Sequence, residues 1–90
     1  MADMKELSMN ELDQVIGGSY VHTGTDDKAQ VRMRPESGWK RLASIPNGTT
    51  VTRTGGREYN SEKKRYFVSI SFIYGGITYS GWMAESMVKD

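Results

Sequence analysis

The stretch Tyr66-Phe67-Val68-Ser69-Ile70-Ser71-Phe72-Ile73-Tyr74-Gly75-Gly76-Ile77-Thr78-Tyr79-Ser80 decides the fold. Val68, Ile70 and Phe72 recur at every second position, with Ser69 and Ser71 between them. That is the period of a strand buried on one face. Gly75-Gly76 tolerates the positive φ angles of a two-residue hairpin turn, so Ile77-Thr78-Tyr79-Ser80 returns alongside.

Working outward, the flanks read the same way. Trp82 and Met83 alternate, which predicts Met83 in the core and Trp82 partly covered. Thr49 to Thr54 is dense in β-branched residues, with Val51 inward, and it follows the turn Pro46-Asn47-Gly48. Lys40 to Ile45 reads as a short strand. Val31-Arg32-Met33-Arg34 alternates apolar and basic residues and is stopped by Pro35. Tyr20 to Thr23 is a run of strand formers, followed by the polar turn Gly24 to Lys28. Gly55-Gly56 is expected to open a charged loop that ends in Lys63-Lys64-Arg65. Short strands, Gly-rich turns and no helical period together indicate a small all-β barrel.

From Tyr20 to Val88 the pattern resembles a bacterial SH3-like domain. The matching segments are Val31 to Arg34, Ile45-Pro46-Asn47-Gly48-Thr49-Thr50-Val51, the Gly81-Trp82-Met83 step, and the closing Ala84-Glu85-Ser86-Met87-Val88. The resemblance implies a barrel closed by one helical turn and a last short strand. The Tyr66–Ser80 hairpin is longer than usual in such domains and is expected to project. Eukaryotic SH3 domains grip polyproline with a Pro and a Tyr near the last strand. Here those places fall on Ala84 and Met87, so a PxxP ligand has nothing to stack on.

Residues 1–18 read differently. Leu7, Ser8, Glu11, Leu12, Val15, Gly17 and Gly18 fill every fixed position of the double-glycine leader carried by peptides that bacterial ABC transporters export and trim. This resemblance implies cleavage between Gly18 and Ser19 by the transporter's papain-like cysteine peptidase domain, with Gly17 and Gly18 threading its tunnel. On a helix Met4, Leu7, Leu12 and Val15 share an arc of roughly 140°, with Glu11 inside it, as helix-in-groove recognition requires. Met4, Leu7, Glu11, Leu12 and Val15 are therefore the expected recognition residues. The segment is too short to hold a helix alone, so a disordered or helical leader is expected before the barrel. An ordinary surface helix ended by a Gly cap is the competing reading. A Sec signal peptide is excluded, because Glu11 and Asp13 interrupt the only candidate apolar stretch.

Charge divides the chain at the same place. Residues 1–18 carry four acidic groups against Lys5, a net of −3, while residues 19–90 carry eleven Lys or Arg against seven Asp or Glu, a net of +4. A mildly cationic body suits an anionic cell wall or membrane surface. Nucleic acid is the lowest-ranked partner on so small a bias. No apolar run approaches the roughly 18 residues of a transmembrane segment. There is no cysteine, hence no disulfide and no thiolate metal site.

Neither catalysis, a metal nor a cofactor is expected. His22 is the only histidine, with no cysteine to activate and no second histidine to share a metal. Aromatic residues among cations are the candidate ligand site instead: Trp39, Tyr59, Lys64, Tyr66, Tyr74 and Tyr79, a surface for peptidoglycan stem peptides or anionic wall polymers. The competing reading packs half of them in the barrel. The sequence thus describes a cytoplasmic precursor with a leader over 1–18, and a secreted, bacteriocin-like SH3-like domain over 19–90. The alternative is an intracellular interaction module with an uncut tail. Oligomeric state is not legible.

Overall fold

The alternation along Val68–Phe72 becomes the centre of one antiparallel sheet. In a computed structural model, which describes residues 12–13, 18–23, 28–32 and 38–90, eight strands follow in chain order. They are β1 (Leu12–Asp13), β2 (Ser19–Val21), β3 (Lys28–Arg32), β4 (Arg41–Pro46), β5 (Thr50–Asn60), β6 (Arg65–Tyr74), β7 (Ile77–Ala84) and β8 (Val88–Lys89). One 3₁₀ turn, Glu85–Met87, lies before the last of them. The order across the sheet is β4-β3-β7-β6-β5-β2-β8, with β1 added on β6. The sheet curls into a half-barrel, the architecture of a small SH3-like domain. Val21, Val31, Ile45, Val51, Ile70 and Met83 are wholly buried inside it. Trp82 is half-buried beside Met83, as the alternation predicts.

Turn chemistry sets the corners. Gly75 and Gly76 take φ of 60° and 79° in the β6–β7 turn, where any other residue would be strained. At the other corner Gly48 has φ of 91°. Buried Thr49 donates its hydroxyl to the Pro46 carbonyl at 2.8 Å, and Gly48 N–H reaches Val21 O at 2.8 Å. The Pro-Asn-Gly-Thr segment thereby ties its turn to β2.

Three expectations change. The Tyr66–Ser80 hairpin is not among them. Among the described residues its last pair with β5 is Thr52↔Ser71 and the pair between β3 and β7 is Arg32↔Trp82. The tip therefore extends past both neighbours, although Phe72, 2% exposed, belongs to the core. Gly55-Gly56 does not open a loop, since β5 runs through it to Asn60. Between the pairs Arg53↔Ile70 and Arg57↔Val68, β5 advances four residues against two on β6. Gly55, at φ of 103°, supplies the turn of this bulge. The first Val-x-x-Arg strand starts earlier than its alternation suggests, at Lys28, because pairing with β4 begins at Lys28↔Pro46.

The last change concerns the leader. Leu12 and Asp13 are neither helical nor free: they pair with Tyr74 and Ile73 of β6. The last β5–β6 pair is Thr52↔Ser71, so β6 runs on past it with backbone groups that need partners. Met4, Leu7, Glu11, Val15 and Gly17 lie outside the described residues. No helix among the described residues is long and apolar enough to cross a membrane.

Candidate functional site

The six aromatic and basic residues singled out in the sequence do not form one surface. They separate into three groups, because β6 is long and its side chains alternate between two faces.

The first group sits at the β5–β6 turn. Tyr59 and Tyr66 are direct cross-strand partners, with ring centroids 5.1 Å apart and planes at 70°. Both are exposed, at 51% and 41%. Arg57, two residues before Tyr59 on the same strand face, lays its guanidinium 3.6 Å from the Tyr66 ring centroid, a cation–π contact. The same guanidinium donates Nε and Nη2 to the Glu85 carboxylate at 2.9 and 3.1 Å. This two-pronged geometry fixes the plane of the guanidinium over the ring. Lys64 lies in the turn itself with φ of 57°. The turn is held by buried Asn60, whose Oδ1 accepts the Glu62 and Lys63 N–H groups at 3.0 and 2.9 Å.

Beside this group lies a depression of about 220 Å³, lined by Arg53, Gly55, Gly56, Arg57, Val68, Ser69 and Glu85. The β5 bulge makes it. Ser69 Oγ accepts the Gly56 N–H at 2.7 Å and the Thr54 hydroxyl at 2.6 Å. A Cβ on Gly56 would come within 2.7 Å of the Trp82 ring and 2.8 Å of Ser69 Oγ. Glycine is therefore required where the bulge approaches β6 and β7.

Trp39 belongs to a second group, its ring 4.8 Å from Phe67 and 5.9 Å from Trp82. Its backbone is left-handed, φ 61°, and Arg32 Nη1 donates to its carbonyl at 3.1 Å. Tyr74 and Tyr79 form the third. Tyr79 stacks on Phe72 at 5.7 Å, Tyr74 lies 6.2 Å from Tyr79, and both pack against the core. From Lys64 to Tyr79, which is opposite Phe72, is seven or eight strand steps of about 3.3 Å, roughly 25 Å. These two cannot hold one small ligand between them.

Sequence reasoning found Tyr59, Lys64 and Tyr66 but missed Glu85, which reaches Arg57 across 28 residues of chain. No local pattern announces that pair. What the first group offers chemically is two ring faces, a fixed guanidinium and a carboxylate.

Just before β2, Gly18 is exposed, and among the described residues no heavy atom beyond its chain neighbours lies within 4 Å of the place a Cβ would occupy. The next residue, Ser19, is 5% exposed. Its hydroxyl donates to Asp90 Oδ1 at 2.7 Å, which also accepts Arg53 Nε at 3.2 Å.

These contacts make an acid-sensitive seam. The Ser19 hydroxyl, and then Arg53, hold the Asp90 carboxyl below its ordinary 3.8. The Arg57 fork holds Glu85 below its ordinary 4.5. A carboxyl lowered by folding stabilises the fold above its unfolded value, and the gain disappears as pH falls through the lowered one. As far as these two groups go, the unfolding midpoint should thus be independent of pH near neutrality, where their contribution is complete, and decline from about 4.5 downward. In the double variant Glu85→Gln, Asp90→Asn, thermal melts should show a shallower acid decline than wild type. Identical acid limbs would dismiss both pairs as contributors.

Comparison with protein-family models, with curated proteins and with solved structures finds no match in any of the three.

Proposed function

We propose that this chain is the precursor of a small exported, bacteriocin-like bacterial protein. A peptidase-bearing ABC transporter removes residues 1–18, and the released barrel binds an extracellular ligand, in the first instance cell-wall peptide or anionic wall polymer. The reading is carried by one observation, the seven leader residues from Leu7 to Gly18 at their fixed spacing. Two structural facts support it. Ser19 opens β2, and among the residues whose burial is described the buried apolar ones run from Val21 to Val88. A cut after Gly18 therefore spares them. Arg57, Tyr59 and Tyr66 supply the binding surface, with Lys64 at its rim.

One experiment tests both halves. Protein from the culture medium of the native host is analysed by mass spectrometry, then sedimented with purified cell walls. The expected product begins at Ser19 and sediments with walls, less so as salt rises and less so in Tyr59→Ala, Lys64→Ala. Full-length chain confined to the cytoplasm overturns export. A processed product that stays in the supernatant overturns the wall ligand alone.

A second reading, an intracellular interaction module with an uncut tail, has its own support. Leu12 pairs with the barrel as a strand, which a segment serving only as a tag has no need to do.

A further inference from the structure

From Tyr66 to Ala84 the chain carries no charged residue, nineteen positions in a protein that is 26% charged. Where the β6–β7 hairpin is paired on both sides, this is ordinary for central strands. The end of β6 is different. The last β5 pair is at Ser71, so one edge of Phe72–Tyr74 has lost its neighbour while the other stays on β7. Open edges in soluble proteins are commonly guarded by charge, proline or a covering segment. Here charge and proline are missing from the strand itself. The covering segment is β1, which sets Leu12 opposite Tyr74 and the acidic residue Asp13 opposite Ile73. Around it the hairpin tip is apolar: Ile77, paired with Tyr74, is 56% exposed, and Tyr74 and Tyr79 are only partly buried.

We infer that β1 is an edge guard, and that its loss lets a second copy of this chain pair edge to edge through Ile73–Tyr74. The occupant is argued from the edge. It already accepts an antiparallel strand, and an antiparallel edge pairs with its own twofold copy without further adaptation. The uncharged tip, with Ile77 exposed, offers that copy apolar surface and no like-charge repulsion. In the intact chain the tethered strand wins, because a short linker holds it at an effective concentration of about millimolar. Once the link is cut, β1 loses that advantage and competes from free solution against a copy that brings the same edge and the apolar tip around Ile77 as well. Leader removal would then do two things, freeing the barrel and uncovering a self-association edge. The second consequence rests on the export reading; the guarding role does not.

The test uses the full chain and needs no peptidase. Sedimentation equilibrium, at chain concentrations up to about 1 mM, compares wild type with Leu12→Pro, Asp13→Pro. This variant lacks both N–H donors of β1 and so cannot pair as the native strand does. Wild type should remain at the mass of one chain. The proline variant should approach about twice that mass, and adding Ile73→Lys should return it to one, since a charge at the edge restores the guard. Far-ultraviolet dichroism and melting confirm that all three are folded at the temperature used. A folded proline variant that stays at one chain mass overturns the inference, as does an association that Ile73→Lys leaves intact. Failure to find a Ser19-ended product in the host's medium would overturn the export reading and leave this result standing.

Discussion

Gly81→Ala should destabilise the barrel by about 1–3 kcal/mol or more, a large effect for a single methyl group. Gly81 is buried in β7 where β3 crosses it. A Cβ there would overlap Val31 Cγ1 and come within 3.0 Å of the Arg32 carbonyl oxygen, with Leu42 Cδ2 at 3.7 Å. None of these yields easily. Val31 is wholly buried and stiff at χ1. The Arg32 carbonyl is backbone, in the strand that pairs with Trp82 at this point. To admit the methyl, β3 must lift from β7, which are joined here by a single residue pair, Arg32↔Trp82. Urea unfolding would show a lower midpoint at unchanged slope. A midpoint within error of wild type would mean that β3 has room to move, and that the barrel is looser than its packing indicates.

The fold was legible in the sequence where one physical signal dominated. Alternation at Val68, Ile70 and Phe72 assigned the inward face, and the glycine pair at 75–76 assigned the turn, because backbone period and φ sign are local properties. Gly55-Gly56 was misread for the same reason. A glycine pair inside a strand-forming run looks like a turn, and only the partner strand, two residues shorter across that interval, makes it a bulge.

The candidate binding surface was legible only in part. Tyr59 and Tyr66 flank a turn closely enough for sequence to bring them together. Arg57 to Glu85, and Trp39 to Phe67 and Trp82, are long-range meetings produced by the curl of the sheet. Assigning all six aromatic and basic residues to one face ignored the roughly 3.3 Å advance per residue that separates the two ends of β6. Leader recognition by Leu12 rests on sequence pattern, while its pairing with Tyr74 rests on structure. One residue cannot serve both partners at once, so a transporter that takes Leu12 as proposed must compete with β6 for it.

Ile70→Ala should cost more than any other truncation in the sheet, in the upper half of the roughly 2–5 kcal/mol range for a buried isoleucine. The cost of such a cavity depends on how well neighbours collapse into it. Ile70 is wholly buried, and its cross-strand partner on β7 is Gly81, which has no side chain to move. Its strand is paired on both sides, with Arg53 of β5 opposite on the other, so β6 cannot shift toward the gap without breaking register. Domains hold about 0.05–0.15 kcal/mol per residue in net stability. The seventy-odd residues from Ser19 onward therefore have only some 4–11 kcal/mol in total. Removing three carbons from the centre of β6 would take a large share of that. Because β5 carries Arg57 and Tyr59, and β6 carries Tyr66, the proposed binding surface should fail along with the core. Denaturant titration measures the first effect, and wall sedimentation near the lowered midpoint measures the second. A loss under about 1 kcal/mol would show that the residues around Ile70 relax into the space, contrary to the close packing that Gly81 imposes.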